Sequence, residues 1–407
     1  MEESLVLICV DCLRGDFRDL DSETPFLDEF FQRSRSFDNL FSTATTTTPC
    51  VASMMTGQYS EENGVMSLSK SKLKDDCVTL AEALSDEGYT TKAFVTGPLY
   101  PETGLNRGFD QYSMRDPGHD LFSGFEDELR GELSDLENQS FVYVHLWELH
   151  GPIDIPERFD AGEYGGTDYE RALSALDRKL HKVIGGLPGD ASVVVTGDHG
   201  ESISFRDSFI QQNIKRARTL LRYYGGIDTR PVENIMNTAA ANLFGTDYPD
   251  HFMEAGHGEN VFDFTSNVPL AIRSPQTNAT EIESQTRQID IFPTVTELCG
   301  VEAPEVRGRS LLGRVDDRKA YVRACGESLK WEDNWAEAVR KDGWKLVTYP
   351  NRDWEDRLYH PEADDDELRP VKNDSKAEEL RTRMPDFSMS STQELEIKDK
   401  LRDLGYG

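Results

Sequence analysis

Positive charge is scarce in this chain. Its 44 lysines and arginines face 75 aspartates and glutamates across 407 residues, for a formal net charge of −31. That balance excludes nonspecific nucleic-acid binding, because the phosphate backbone would be repelled. Acidic residues recur along the whole chain, the pattern of a solvated surface suited to a halophilic host, where salt screens the self-repulsion. Long apolar runs are missing too. Leu5–Val10 follows no basic segment and falls far short of the roughly 20 residues a membrane helix needs, so no membrane span is expected. Cysteine is sparse. Cys9, Cys12, Cys50, Cys77, Cys299 and Cys325 form no dense disulfide framework, and free thiols in a reducing, cytoplasmic setting are the expectation. What remains, 37 % hydrophobic and 29 % charged, is a globular composition, long enough for one large domain and a smaller appendage.

Leu5-Val-Leu-Ile-Cys-Val10 is a continuous apolar run ending in Asp11, which reads as a buried parallel strand with a carboxylate at its C-terminal end. Phe141–Trp147 runs likewise into Glu148 and His150, and Ala191–Thr196 into Gly197, Asp198 and His199. Helix-like stretches at Pro25–Arg35, Thr79–Glu87 and Tyr169–Ile184 alternate with them. The expected class is therefore α/β, a mostly parallel central sheet sandwiched by helices. Ligands of such sheets bind beyond the carboxyl ends of the strands, where three strands here deliver Asp or His.

Residues 203–255 interrupt this rhythm as a helical insertion, with helices expected over Ser208–Tyr224 and Val232–Leu243. Its basic run Lys215, Arg216, Arg218 and Arg222 is either a lid that attracts an anionic substrate or a helix face meeting an acidic neighbour. From about residue 316 the composition shifts to a small antiparallel unit: Ala320–Arg323, Trp335–Arg340 and Trp344–Tyr349, then a polar tail. The expected division is a catalytic domain over 1–315 and a small C-terminal α+β subdomain over 316–407.

Asp11 with the Asp198–His199 pair offers two carboxylates and one imidazole from two strands, a donor set for a divalent cation. Thr47 sits in Ala44-Thr-Thr-Thr-Thr-Pro-Cys-Val-Ala-Ser-Met-Met-Thr-Gly57, where Pro49 can start a helix and Val51, Met54 and Met55 repeat at helical spacing. A hydroxyl at that helix N-terminus faces the N–H groups that favour an anion, and a bound cation would activate it. By residue type alone Thr47 reads first as a helix cap, and Thr46 and Thr48 compete with it.

Taken in order, Val10-Asp-Cys-Leu-Arg-Gly-Asp16, Thr24-Pro-Phe-Leu-Asp28, Thr47-x-Pro with Met55-Thr-Gly57, Leu149-His-Gly-Pro152, Gly197-Asp-His-Gly-Glu201, Gly256-His-Gly258, Asp290-Ile-Phe-Pro-Thr294, Gly308-Arg-Ser310 and Trp344-Lys-Leu346 resemble the alkaline phosphatase superfamily in its sulfatase-like branch. The resemblance spans nearly the whole chain. It implies a metal-dependent hydrolase of phosphate or sulfate esters, with Thr47 as nucleophile. The cation, Mn²⁺, Zn²⁺, Ca²⁺ or Mg²⁺, would lie on Asp11, Asp198, His199 and Thr47. His150 and His257 fall where the family binds the anion or protonates the leaving oxygen; Arg14 either reaches the anion or braces the first loop. The implied substrate is a small anionic ester, free or glycan-linked, and an oligomer is compatible with all of this.

The chain also departs from that family. Sulfatases place a Cys or Ser, converted to formylglycine, where this chain has Thr47, and an Arg where it has Val51. The site lysine of a Gly-Lys-Trp element is missing around Gly97-Pro98, and Cys12 stands in place of a second opening carboxylate. Threonine cannot become formylglycine, which tilts the expectation toward phosphomonoesters, phosphodiesters or phosphonate esters. Two other readings stay open: a transferase moving a phospho-substituent to a glycan or lipid headgroup, and a degenerate homologue that binds metal or anion without turnover.

Overall fold

The computed structural model describes residues 4–387 apart from 69–70, 135, 137, 204–208, 245–250, 255, 326–334 and 365. Ser208, expected to open the first insertion helix, and the end of the polar tail lie outside those residues.

The large sheet contains β1 (Leu5–Val10), β2 (Arg35–Phe41), β3 (Thr90–Val95), β4 (Gln111–Met114), β5 (Ser140–Leu146), β6 (Ser192–Gly197), β7 (Asn267–Arg273), β8 (Thr280–Ile282) and β9 (Thr286–Arg287). Their order is β4-β3-β5-β1-β6-β7-β2-β8, with β9 also on β2. Among these, β7 alone runs against the rest, pairing antiparallel with both β6 and β2. The expected mostly parallel sheet is therefore present. β1 lies between β5 and β6, with Cys9 opposite His145 and Thr196.

Both faces of β1 are apolar because each is covered. Leu5, Leu7 and Cys9 pack with Val51, Met54 and Met55 of the helix Thr47–Thr56 on one side. Val6, Ile8 and Val10 pack with Leu173, Leu176 and Leu180 of the helix Asp168–Gly185 on the other. Thr167 caps that second helix, its side chain accepting from the Glu170 N–H while Glu170 answers the Thr167 N–H, a reciprocal capping pair. The helix expected over Pro25–Arg35 stops at Gln32, since Arg35 already pairs with Ile272 in the β2–β7 ladder.

A second, four-stranded antiparallel sheet follows: β10 (Ala320–Ala324), β11 (Ala336–Lys341), β12 (Trp344–Thr348) and β13 (Arg357–Tyr359). It packs through Val322, Ala338 and Tyr359 against Phe41 and Val261. Arg323 N–H also donates to the Thr43 carbonyl at 3.0 Å, which ties this sheet to the threonine run.

In the insertion, helical residues 209–224 and the helix Arg230–Phe244 are joined by a short turn. The second helix is polar inward: Glu233 and Asn237 are buried, whereas Val232, Ile235 and Leu243 are exposed. Arg218 reaches Glu259 at 2.7 Å and Glu254 at 3.3 Å, and Arg222 reaches Glu233 at 2.7 Å, all substantially buried. Of the two readings of the basic run, these two arginines follow the acidic-neighbour one. Among the described residues of this segment these ion pairs are largely buried, whereas Leu220, Leu221, Val232, Ile235 and Leu243 are exposed.

Candidate active site

The residues singled out at the strand ends converge. Asp11 directly follows β1, and Thr47 is the first residue of its helix, which Gly57 ends in the left-handed conformation at φ +65° that a glycine adopts without strain. Thr47 Oγ1 donates to Asp11 Oδ2 at 3.0 Å and lies 3.3 Å from His199 Nε2. The neighbouring threonines are engaged elsewhere. Thr48 Oγ1 donates to the Pro98 carbonyl at 3.0 Å, and Thr46, the N-cap residue, makes no side-chain cap bond and sits 3.6 Å from Cys325 Sγ.

Asp198 and His199 leave β6 toward the same point. Asp198 Oδ1 accepts from the N–H groups of Cys12 (3.2 Å) and His199 (2.8 Å). His199 Nδ1 lies 2.9 Å from the Gly200 carbonyl, so it carries the proton and leaves the Nε2 lone pair facing Thr47. Asp11, Thr47, Asp198 and His199 are all fully buried. Burial alone would raise the Asp11 carboxyl, but the hydrogen bond from His145 and the neighbouring His150 and His199 imidazoles hold it well below the usual range. Asp198 goes the other way, raised by burial and then by the Asp11 charge.

This arrangement fits a cation. One donor atom each from Asp11, Asp198 and His199 lie within 4.8 Å of one another. Asp198 Oδ2, 3.5 Å from His199 Nε2, accepts no hydrogen bond although it is buried. Two buried carboxylates and an imidazole lone pair aimed at one point leave a negative hollow that a divalent ion would neutralise.

The flanking histidines differ in their surroundings. His150 stacks on Trp147 with ring centroids 3.9 Å apart, and burial lowers it to about 4. His257 lies 4.2 Å from the His199 ring and 5.2 Å from the His150 ring. Burial would lower His257, but Glu201 Oε2 at 3.1 Å from its Nδ1 raises it above the ordinary value. Arg14 braces the first loop: it donates to Asp16 at 2.6 and 2.8 Å and to the Glu201 carbonyl at 3.1 Å.

Several residues here carry no assigned role in the motifs. His145, inside the apolar strand β5, puts Nε2 3.2 Å from Asp11 Oδ2, with Nδ1 3.1 Å from the Tyr143 hydroxyl. Gln288 donates to the Asp198 carbonyl at 2.6 Å. Cys9-Val-Asp-Cys12 has a two-cysteine spacing, yet Cys9 packs in the core on the Thr47-helix side while Cys12 Sγ turns to Asp11 Oδ1 at 2.8 Å. All six cysteines are free and buried.

Sheet, strand-end carboxylates and hydroxyl-bearing helix together have the arrangement of the sulfatase fold. The Sulfatase family model matches residues 4–301, and the chain belongs to that family. Among curated proteins it is similar to an uncharacterized sulfatase, YidJ, of Escherichia coli strain K12, 27 % identical over 152 residues. That match spans 36 % of this chain and 29 % of the relative's length. Among solved structures it is similar to a 2-O GAG sulfatase (TM-score 0.68, 16 % identity, 94 % of this chain and 90 % of that one). It is also similar to the phosphonate monoester hydrolase of Agrobacterium radiobacter (TM-score 0.67, 17 % identity, 94 % of each chain). At such identities these two support the shared fold. No helix among the described residues is long and apolar enough to cross a membrane.

Proposed function

We propose that the chain hydrolyses a small anionic ester, with phosphate or phosphonate esters preferred over sulfate esters, using Thr47 as nucleophile. The observation that carries this reading is the Thr47 hydroxyl, 3.0 Å from Asp11 Oδ2 and 3.3 Å from His199 Nε2 at a helix N-terminus. Asp11, Asp198, His199 and Thr47 would hold one divalent cation, which when bound supplies Lewis acidity to the hydroxyl and to the ester oxygens. Thr47 Oγ1 passes its proton to Asp11 Oδ2, to which it donates, and forms a bond to phosphorus, or to sulfur, as the bond to the alcohol oxygen breaks. N–H groups of the first helical turn face the charged oxygens. His257, raised by Glu201, has a proton to give to the departing alcohol, while His150 stays neutral on its Trp147 stack and orients the group. Water then cleaves the threonine ester. The phosphorus preference rests on Thr47 itself, which cannot become formylglycine, and a glycan-linked substrate follows from the likeness to the GAG sulfatase.

The test is a panel of p-nitrophenyl phosphate, bis-phosphate, phenylphosphonate and sulfate esters, run at high salt with Mn²⁺, Zn²⁺, Ca²⁺ or Mg²⁺. Thr47→Val should lower kcat/KM by about 10⁵-fold, the scale of losing a nucleophile, while Thr47→Ser keeps measurable turnover. Retention of a tenth or more of the activity in Thr47→Val removes Thr47 from the mechanism.

A further inference from the structure

A second donor set lies beside the first, and Thr47 takes no part in it. Cys12 Sγ is 3.6 Å from Glu201 Oε2 and 3.7 Å from His257 Nδ1, and those two atoms are 3.1 Å apart. Around a tetrahedral zinc, Zn–S is about 2.3 Å and Zn–N or Zn–O about 2.0–2.2 Å, so the edges come to about 3.6 Å from sulfur and about 3.4 Å between nitrogen and oxygen. The triangle matches one face of that tetrahedron to within a few tenths of an ångström. We propose that Cys12, Glu201 and His257 hold a second, thiophilic divalent cation beside the one on Asp11, Asp198, His199 and Thr47.

Three further observations support it. Donor atoms of Cys12, His199 and His257 lie within 4.8 Å of one another, so the two sets adjoin at His199. His199 Nε2 points to Thr47 and Asp198, which leaves its lone pair to the first set and the fourth position of the second to water or a substrate oxygen. The charges also divide evenly, since Asp11 with Asp198, and Cys12 thiolate with Glu201, each supply two negative charges per dication. Access exists: the Glu201 and His257 side chains keep 12 % and 8 % of their surface, whereas Cys12 behind them is fully buried. Binding releases the Cys12 thiol proton and takes His257 Nδ1 as a neutral ligand, so a chain that carries both ions would not use His257 as the acid of the proposed hydrolysis. Sulfur and imidazole select zinc-like ions over Mg²⁺ and Ca²⁺, so the two sets differ in preference.

The experiment counts ions and does not read turnover, so its failure is separate from failure of the ester-hydrolase reading. The metal-stripped full chain is equilibrated with Zn²⁺, desalted and assayed by mass spectrometry of its metal content. The wild type should carry two ions per chain, and Cys12→Ala one. A parallel Co²⁺ titration should show thiolate-to-cobalt charge-transfer absorption with one of its two equivalents, and none in Cys12→Ala. Glu201→Gln should weaken that equivalent more than about 100-fold, beyond the 10- to 100-fold that losing an outer partner costs. One ion in the wild type, two in Cys12→Ala, or no charge-transfer absorption at either equivalent overturns the proposal. Should Cys12→Ala fail to fold by circular dichroism, the wild-type cobalt titration with Glu201→Gln decides alone.

Discussion

Asp198→Asn probes the first cation set without any substrate. Without a cation, Asp11 and Asp198 are buried together, Asp198 is raised by burial and by the Asp11 charge, and its Oδ2 accepts no hydrogen bond. An unsatisfied buried polar atom costs about 1–3 kcal/mol, more when charged. An asparagine keeps Oδ1 for the Cys12 and His199 N–H groups, at 3.2 and 2.8 Å in the wild type. Its amide nitrogen replaces Oδ2, 3.5 Å from His199 Nε2, which has a lone pair to accept with. In EDTA the variant should therefore be more stable than the wild type by about 1–3 kcal/mol, with Tm a few degrees higher. With a cation at a thousand times its Kd, the wild type gains about 4 kcal/mol, and the variant, short of one of its two carboxylate donors, gains little. The order of stability reverses between the two conditions. Urea unfolding with EDTA, and again with Mn²⁺ or Zn²⁺, measures both. A variant less stable than the wild type by the same amount in each would refute the assignment of Asp198 to a cation.

Burial lowers His150 to about 4 in the folded chain, against about 6.5 unfolded, so its neutral form stabilises the fold above pH 6.5. That contribution, up to about 3 kcal/mol, is lost as pH falls from about 6.5 to 4; His150→Gln should flatten this part of the urea-derived stability curve, and an unchanged slope counts against it. Arg218→Ala takes the arginine from Glu254 and Glu259, leaving Asn260 on the one and Arg222 near the other, and should cost about 3 kcal/mol, also by urea unfolding; an effect near zero would mean that these pairs do not hold the segment. Gly97 sits at φ +69°, and an added Cβ would lie 2.2 Å from the Trp147 ring on which His150 stacks. Gly97→Ala should shift tryptophan emission and lower kcat/KM about 10- to 100-fold; a shifted emission with full activity would show that the stack does not position His150.

The fold was legible wherever one signal was strong enough alone. Leu5–Val10 reads as a doubly buried strand because both of its faces are apolar, and Asp11 follows as the first polar residue. The same double burial hid His145: with apolar neighbours on both parities, only the register that sets Cys9 beside it shows which way the ring points. Gln288 escaped for another reason, since a lone amide ninety positions from Asp198 forms no pattern along the chain. Cys12 read as a lost carboxylate, and only its distances to Glu201 and His257 show what the sulfur faces. In the insertion the helix over Val232–Leu243 was legible but the side it turns inward was not. The buried pairing of Arg222 with Glu233 decides that side, because stranding those charges would cost more than exposing Val232, Ile235 and Leu243.

The proposed donors at 11, 47, 198 and 199 come from three stretches that only the finished sheet brings together. An extended chain offers them singly, with no grip on an ion, so ion supply acts on the closed form alone. Starved of its ion, this protein would spend more time open to proteases, and its lifetime in a cell would follow metal availability even in a variant that has no catalytic hydroxyl.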